Sequence, residues 1–244
     1  MNKANLVAIE RHALAEYPKE CCGLLIREGR KRVYVPCRNT AVTPSEHFRL
    51  APEDYAVAEE RGEVLAVIHS HPDYPPAPSE ADRVACEASG LPWHILEVRK
   101  DDDGTLRKGD WASLLPTGYQ APLIGRSFAH GIHDCLSIIL DYYRRELGIE
   151  LGSYQREDGW WDKGGNLYLE HLPQAGFERV NDLRQGDVVL MQIRSPVTNH
   201  AGVYLGNGQM LHHLHGRLSE SVPYGGMWAE RTRCIVRHRE VRHD

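Results

Sequence analysis

Two groups of side chains in this chain have the types and spacing of reacting sets. In the first, His69-Ser70-His71-Pro72 is followed, after six residues, by Ser79-Glu80-Ala81-Asp82. Histidines at i and i+2 at the mouth of a strand point to one side, and Asp82 on the next helix supplies a third ligand from another direction. Three protein ligands with an open fourth position are the arrangement of a catalytic zinc, whose bound water falls to a pKa near 7. Upstream, Glu20-Cys21-Cys22-Gly23 offers a carboxylate. Alone, Glu20 reads as a solvated residue at a helix end. Ser79 reads equally as an N-cap that accepts the free N–H groups of a first helical turn. Cys21 and Cys22 begin a buried strand and read as small hydrophobes.

The second group is spread more widely. His133-Asp134-Cys135-Leu136 precedes an apolar run with helical period (Leu136, Ile138, Ile139, Tyr142, Tyr143), so Cys135 belongs in the first turn of a helix. There the helix dipole lowers a thiol's pKa and favours the thiolate. Asn199 to Gly208 reads as a strand ending in a hairpin turn, with Gln209 to His212 returning. His200 and His212 share a sheet face if the loop is odd in length, such as Gly206-Asn207-Gly208, and lie on opposite faces if it has two residues. Cys135 is then the nucleophile, His200 the base and His212 the group that orients the base. His213 and His215 compete with His212 for the third place, and a buried inert Cys135 is the alternative.

Positioning these groups takes two sets of elements. Leu6, Ile9, Ala13 and Leu14 recur with helical period, Pro18 closes that helix, and the chain turns extended from Cys22 to Ile26. A hairpin at Glu28-Gly29-Arg30, a short helix over 53–61, a buried strand over 64–68, a helix over 79–89 and a strand over 94–98 complete an α/β pattern. After a stretch with two prolines and two glycines come a helix from about 134 to 147 and short strands near 188–193, 201–205, 209–213 and 235–239, an α+β order. The expected organisation is a domain over 1–110, a linker over 111–125 and a second domain over 126–244. The 244 residues suffice for two cores. A net charge of −5 provides no basic excess for a phosphate backbone, so no nucleic-acid partner is expected. Six scattered cysteines without a CxxC pair fit a reducing compartment rather than a disulfide framework. The first residues lack the apolar stretch of a signal peptide, and no run is long enough for a membrane-spanning segment, so synthesis in the cytoplasm without an export signal is expected.

The first group, His-Ser-His-Pro then Ser-x-x-Asp with an upstream Glu-x-Cys-Gly, resembles the JAMM (MPN-type) metallopeptidases over roughly residues 1–110. The resemblance implies zinc on His69, His71 and Asp82, Glu20 as general base on the zinc water, and Ser79 as a donor to the tetrahedral oxyanion. Gly131-Ile132-His133-Asp134-Cys135, Leu183 to Val189 and His200 to Gly206 resemble the NlpC family of papain-like cell-wall cysteine peptidases over about 120–240. Cys135, His200 and His212 match its nucleophile, base and polar third residue. Two departures are visible: Leu136-Ser137 follows the cysteine in place of Ser-Gly, and Leu123 stands where many members carry a tyrosine that assists the oxyanion. An α/β JAMM/MPN-like domain followed by an α+β papain-like NlpC-type domain is similar to tail proteins of lambda-like siphophages. This implies partners among phage tail tip proteins and a peptidoglycan peptide or protein substrate. It also implies presence in the host cytoplasm during assembly and at the virion tail tip. Two other readings stay open: inherited folds used for docking in the tail tip, and a host cytosolic peptidase that trims ubiquitin-like or sulfur-carrier proteins.

Overall fold

Helix α1 (Lys3–Glu16) starts where the Asn2 side chain accepts the Asn5 N–H, and buries Asn5, Ile9 and Ala13 as one stripe. The computed structural model describes residues 1–154, 156 and 159–242 and divides into two units, Met1–Gln120 and Ala121–Asp244. In the first unit, β1 (Cys22–Glu28) returns as β2 (Lys31–Cys37) through a turn in which Gly29 takes φ +60°, a left-handed conformation that favours glycine. After α2 (Pro52–Arg61), β3 (Glu63–Pro72) crosses over α3 (Glu80–Ser89) into the parallel strand β4 (Trp93–Lys100), and β5 (Leu106–Leu114) closes the edge. Among the described residues the sheet order is β2-β1-β3-β4-β5. Both faces of its centre are buried, as a sheet with helices on two sides requires. Ile9 and Ala13 of α1 pack with Cys21, Leu25, Ala66 and Ile68 on one face, while Ala58 of α2 and Cys86 of α3 pack with Cys22, Leu24, Ile26 and Val67 on the other.

Strand β5 has no counterpart in the sequence reading, because Arg107 to Asp110 carry no apolar alternation. As an edge strand it is half exposed and is held by pairing with β4 and by Trp111 and Leu114, which pack against the two cores. It therefore occupies the first residues of the stretch assigned to the linker. The division between the units falls at Gln120 and Ala121, inside that stretch.

In the second unit, α4 (Cys135–Tyr142) continues as a π-helical turn over Tyr143–Leu147, followed by α5 (Leu167–His171). The strands β6 (Phe177–Val180), β7 (Val188–Met191), β8 (His200–Gly206), β9 (Gln209–His212), β10 (Glu220–Pro223) and β11 (Thr232–His238) form an antiparallel sheet, with α6 (Met227–Arg231) before the last. Its order among the described residues is β10-β9-β8-β7-β11-β6. Ile138, Ile139, Tyr142 and Tyr143 of the helix pack on Val188, Leu190, Ala201, Val203 and Leu211 of the sheet. Arg126, fully buried, ties the entry of this unit to α4 through Asp141 (2.6 Å) and the Ala121 carbonyl (3.1 Å). No helix among the described residues is long and apolar enough to cross a membrane.

Candidate active sites

The period of a strand puts His69 and His71 on one face of the end of β3 and Ser70 on the other. Helix α3 begins at Ser79 with a capping box: the Asp82 N–H donates to Ser79 Oγ (3.1 Å) and the Ser79 N–H donates to Asp82 Oδ2 (2.7 Å). This fixes Asp82 at the third helical position, buried and facing the histidines. His69 Nε2 and His71 Nε2 lie 3.2 Å apart, His69 Nε2 is 3.2 Å from Asp82 Oδ1, and His71 Nε2 is 3.4 Å from Asp82 Oδ2. Tetrahedral zinc with bonds of about 2.0 to 2.1 Å separates its ligand atoms by roughly 3.3 Å. The donor set, two imidazoles and a carboxylate at this spacing, therefore fits zinc. The His71 Nδ1 donates to the Pro75 carbonyl (2.9 Å), which leaves Nε2 with a free lone pair. His69 lacks such a partner at Nδ1. Its ring is held by stacking on Phe48 (4.6 Å between centroids) and by the edge contact with Trp93 (5.5 Å).

Burial works to raise the Asp82 pKa, but His69 and His71 outweigh it and hold the carboxylate well below its usual range. Burial pulls His69 down. It acts on His71 in the same sense, yet Asp82, the Pro75 carbonyl and Glu20 carry His71 above its ordinary value. Glu20 is 5% exposed, and burial pushes it up to about 8, with His71 opposing and Asp82 adding to the shift. It thus feels two of the three members of the cluster, His71 and Asp82. Its place is set by Ser70, which was not singled out from sequence. Ser70 Oγ accepts the Cys21 N–H (2.8 Å) and the Ser70 N–H donates to the Cys21 carbonyl (3.1 Å). Ser79 is exposed, and its hydroxyl oxygen serves as the helix cap.

In the second unit Asp134 is the N-cap of α4, accepting the N–H groups of Leu136 and Ser137, each at 3.0 Å. Cys135 follows as the first helical residue. Its sulfur is 3.1 Å from Tyr168 Oη. His200 Nε2 and His212 Nδ1 are 3.0 Å apart. The β8–β9 connection is a two-residue turn, Asn207-Gly208, with positive φ at both positions. By itself that turn would put the histidines on opposite faces. The register shifts between Tyr204 and Gly206, and this bulge restores a shared face. His213 Nε2 donates to the Arg217 carbonyl (3.1 Å), and both His213 and His215 pack on Phe128. His212 is therefore the partner of His200.

Burial, reinforced by Asp134, pushes the Cys135 thiol up to about 11, against the hydrogen bond from Tyr168 and the charge of Arg156. Burial, with His212 and His213, pulls His200 down to about 3. This corrects the expectation of a lowered thiol: desolvation at this helix start, with Asp134 alongside, raises it. Burial thus disfavours the charged form of each side chain. Accordingly, the iodoacetamide alkylation rate at Cys135, followed by mass spectrometry, keeps rising from pH 7 to pH 10. Saturation below pH 8 would contradict the burial argument.

Tyr168 and Arg156 were also not found from sequence. Tyr168 lies 33 residues beyond Cys135 in a stretch without a clear period, and no spacing rule links the two.

A family model described as prokaryotic homologs of the JAB domain matches residues 2–110, and a model of the NlpC/P60 family matches residues 125–237. Tail tip assembly protein K of Escherichia phage N15 is 43% identical over 245 residues, covering 99% of this chain and 97% of its own length. Tail tip assembly protein K of Escherichia phage lambda is 40% identical over 195 residues, covering 79% of this chain and 91% of its own length. Among solved structures, protein DSY2949 from Desulfitobacterium hafniense matches 45% of this chain and 88% of its own, at 25% identity and a TM-score of 0.35.

Proposed function

The chain belongs to the family of phage tail tip assembly proteins K, with an N-terminal JAB/MPN-type domain followed by an NlpC/P60 domain, and on that premise we propose that both domains are working peptidases. The first is a zinc-dependent (iso)peptidase. The second is a cysteine endopeptidase that cuts the peptide stems of peptidoglycan. As a tail component the chain has other tail tip proteins as partners, and it acts in the host cytoplasm during assembly and at the virion tail tip. The observation that carries this reading is that each domain holds a full reacting set on buried, positioned elements. A scaffold used only for docking has no physical need for three converging ligands beside Glu20, or for a helix-start thiol backed by two bonded histidines.

In the first site His69, His71 and Asp82 hold the ion. When bound, zinc polarises the scissile carbonyl and lowers the pKa of a coordinated water. Glu20, buried beside this set, would be the group that accepts a water proton and returns it to the leaving nitrogen. Ser79 keeps its backbone cap and turns its O–H toward the developing oxyanion. In the second site His200 takes the proton of Cys135 as the sulfur attacks the peptide carbonyl, and His212 holds the imidazole in place. The proton then passes to the leaving amine, and water hydrolyses the thioester.

The test is digestion of purified sacculi by the full chain, with released peptides identified by mass spectrometry. Wild type and Glu20→Ala release stem peptides at similar rates, and Cys135→Ala releases them at least about a thousandfold more slowly. Equal release by all three would show that neither site is the hydrolase. No release by the wild type, together with normal tail assembly by a Glu20→Ala, Cys135→Ala double variant, would establish the docking role instead.

A further inference from the structure

An acyl-transfer site needs at least two donors where the carbonyl oxygen becomes anionic. One is available at the start of α4, the backbone N–H of Cys135. Leu123, twelve residues before Cys135, packs against the α4 core and its side chain has no hydrogen bond to give.

We infer that Tyr168 supplies the second donor, from a segment downstream of the nucleophile rather than upstream of it. This rests on the reading of Cys135 as the nucleophile. Tyr168 Oη lies 3.1 Å from Cys135 Sγ. The carbonyl oxygen of a bound acyl group is two bonds from that sulfur, so a hydroxyl touching the sulfur at rest can reach the oxygen with a small shift. The phenol is fixed: α5 carries it, the residue is 6% exposed, and its ring meets Trp160 edge-on at 6.0 Å. Burial raises the Tyr168 pKa well above its ordinary value, so the group stays a donor at any working pH. Arg156, paired with Asp134, adds positive charge close to both groups.

During attack the S–C bond forms, the carbonyl π pair moves to oxygen, and the thiol proton passes to His200. Tyr168 keeps its proton and donates a hydrogen bond to the new oxyanion. On collapse the C–N bond breaks and the proton on His200 leaves with the amine. Tyr168 is thus a catalytic residue by contact with the reacting atoms, and it takes no part in proton transfer.

The first test is Tyr168→Phe in the full chain, which keeps the ring and removes only the hydroxyl. Losing one hydrogen bond to a charged group slows Cys135 alkylation by iodoacetamide at pH 8 by about tenfold and moves its pH profile upward. Hydrolysis of stem peptides falls about 100-fold in kcat with little change in KM. Tyr168→3-fluorotyrosine, a stronger donor that fills the same space, moves the alkylation profile downward and so separates donation from packing. Alkylation profiles of both variants superimposed on that of the wild type would overturn the assignment. These profiles need no substrate, so they stand apart from the sacculus experiment: full peptide release by Cys135→Ala would refute the nucleophile itself.

Discussion

Wild-type protein equilibrated with zinc carries about one ion per chain after gel filtration, and His69→Ala carries none at the same free zinc concentration, by mass-spectrometric metal analysis. The size of the effect follows from the ligand count. Removing one of three protein ligands leaves His71 and Asp82, a pair that holds an ion only weakly, and the lost imidazole is fully buried, so no other group can take its place. Phe48→Ala weakens binding without abolishing it. The ligand Nε2 of His69 survives in that variant, but the ring loses the stack that replaces the usual hydrogen bond at Nδ1. Retention of a full equivalent of zinc by His69→Ala would show that the ion sits elsewhere. A wild type that takes up no zinc with His69 and His71 ordered would remove the site altogether.

The largest expected loss of stability in the second unit comes from Asp134→Ala. Asp134 is 2% exposed, caps two N–H groups of α4, accepts the Gly131 N–H (2.8 Å) and pairs with Arg156. Losing the cap costs about 1 kcal/mol, and leaving a buried guanidinium without its partner costs about 3 more, so about 4 kcal/mol is expected. Urea unfolding followed through the tryptophans of the second unit measures it. A loss below about 1 kcal/mol would mean that water solvates Arg156. Burial acts to raise the Asp134 pKa, but Arg156 and the backbone donors outweigh it and hold it below the unfolded value near 3.9. Its contribution is therefore complete above about pH 5 and is lost as pH falls through the lower folded-state value. The gap between wild type and Asp134→Ala accordingly narrows in acid.

Most of the first site could be read from the chain because its geometry is local. A spacing of two along a strand and of three from a helix cap fixes His69, His71 and Asp82 within short segments, whatever the rest of the fold does. Glu20 needed the pairing of β1 with β3 to reach them, and only the resemblance to a known motif supplied that. Ser70 stayed hidden, since a serine between two histidines reads as spacing until its partner on Cys21 is visible. In the second site the helix start at Cys135 was legible from the apolar period and from Asp134. The shared face of His200 and His212 was not, because a bulge near Leu205 leaves no mark that counting along the strand can find. The raised thiol pKa and Tyr168 depend on what closes over the sulfur, and the segment that does so has no regular pattern. Strand β5 was missed for a related reason: an edge strand with polar residues on its outer side lacks the alternation by which strands are recognised.

Asp82 occupies two positions at once. One carboxylate serves as the third residue of the α3 capping box and, in the proposed function, as a metal ligand. Fraying of the first turn of α3 and release of the ion are therefore coupled equilibria, each displaced by the other. Amide hydrogens at the start of α3 slow their exchange with solvent when zinc is added, and a partner that grips the Ser79 end of the helix tightens zinc binding by the same free energy with which zinc favours that partner.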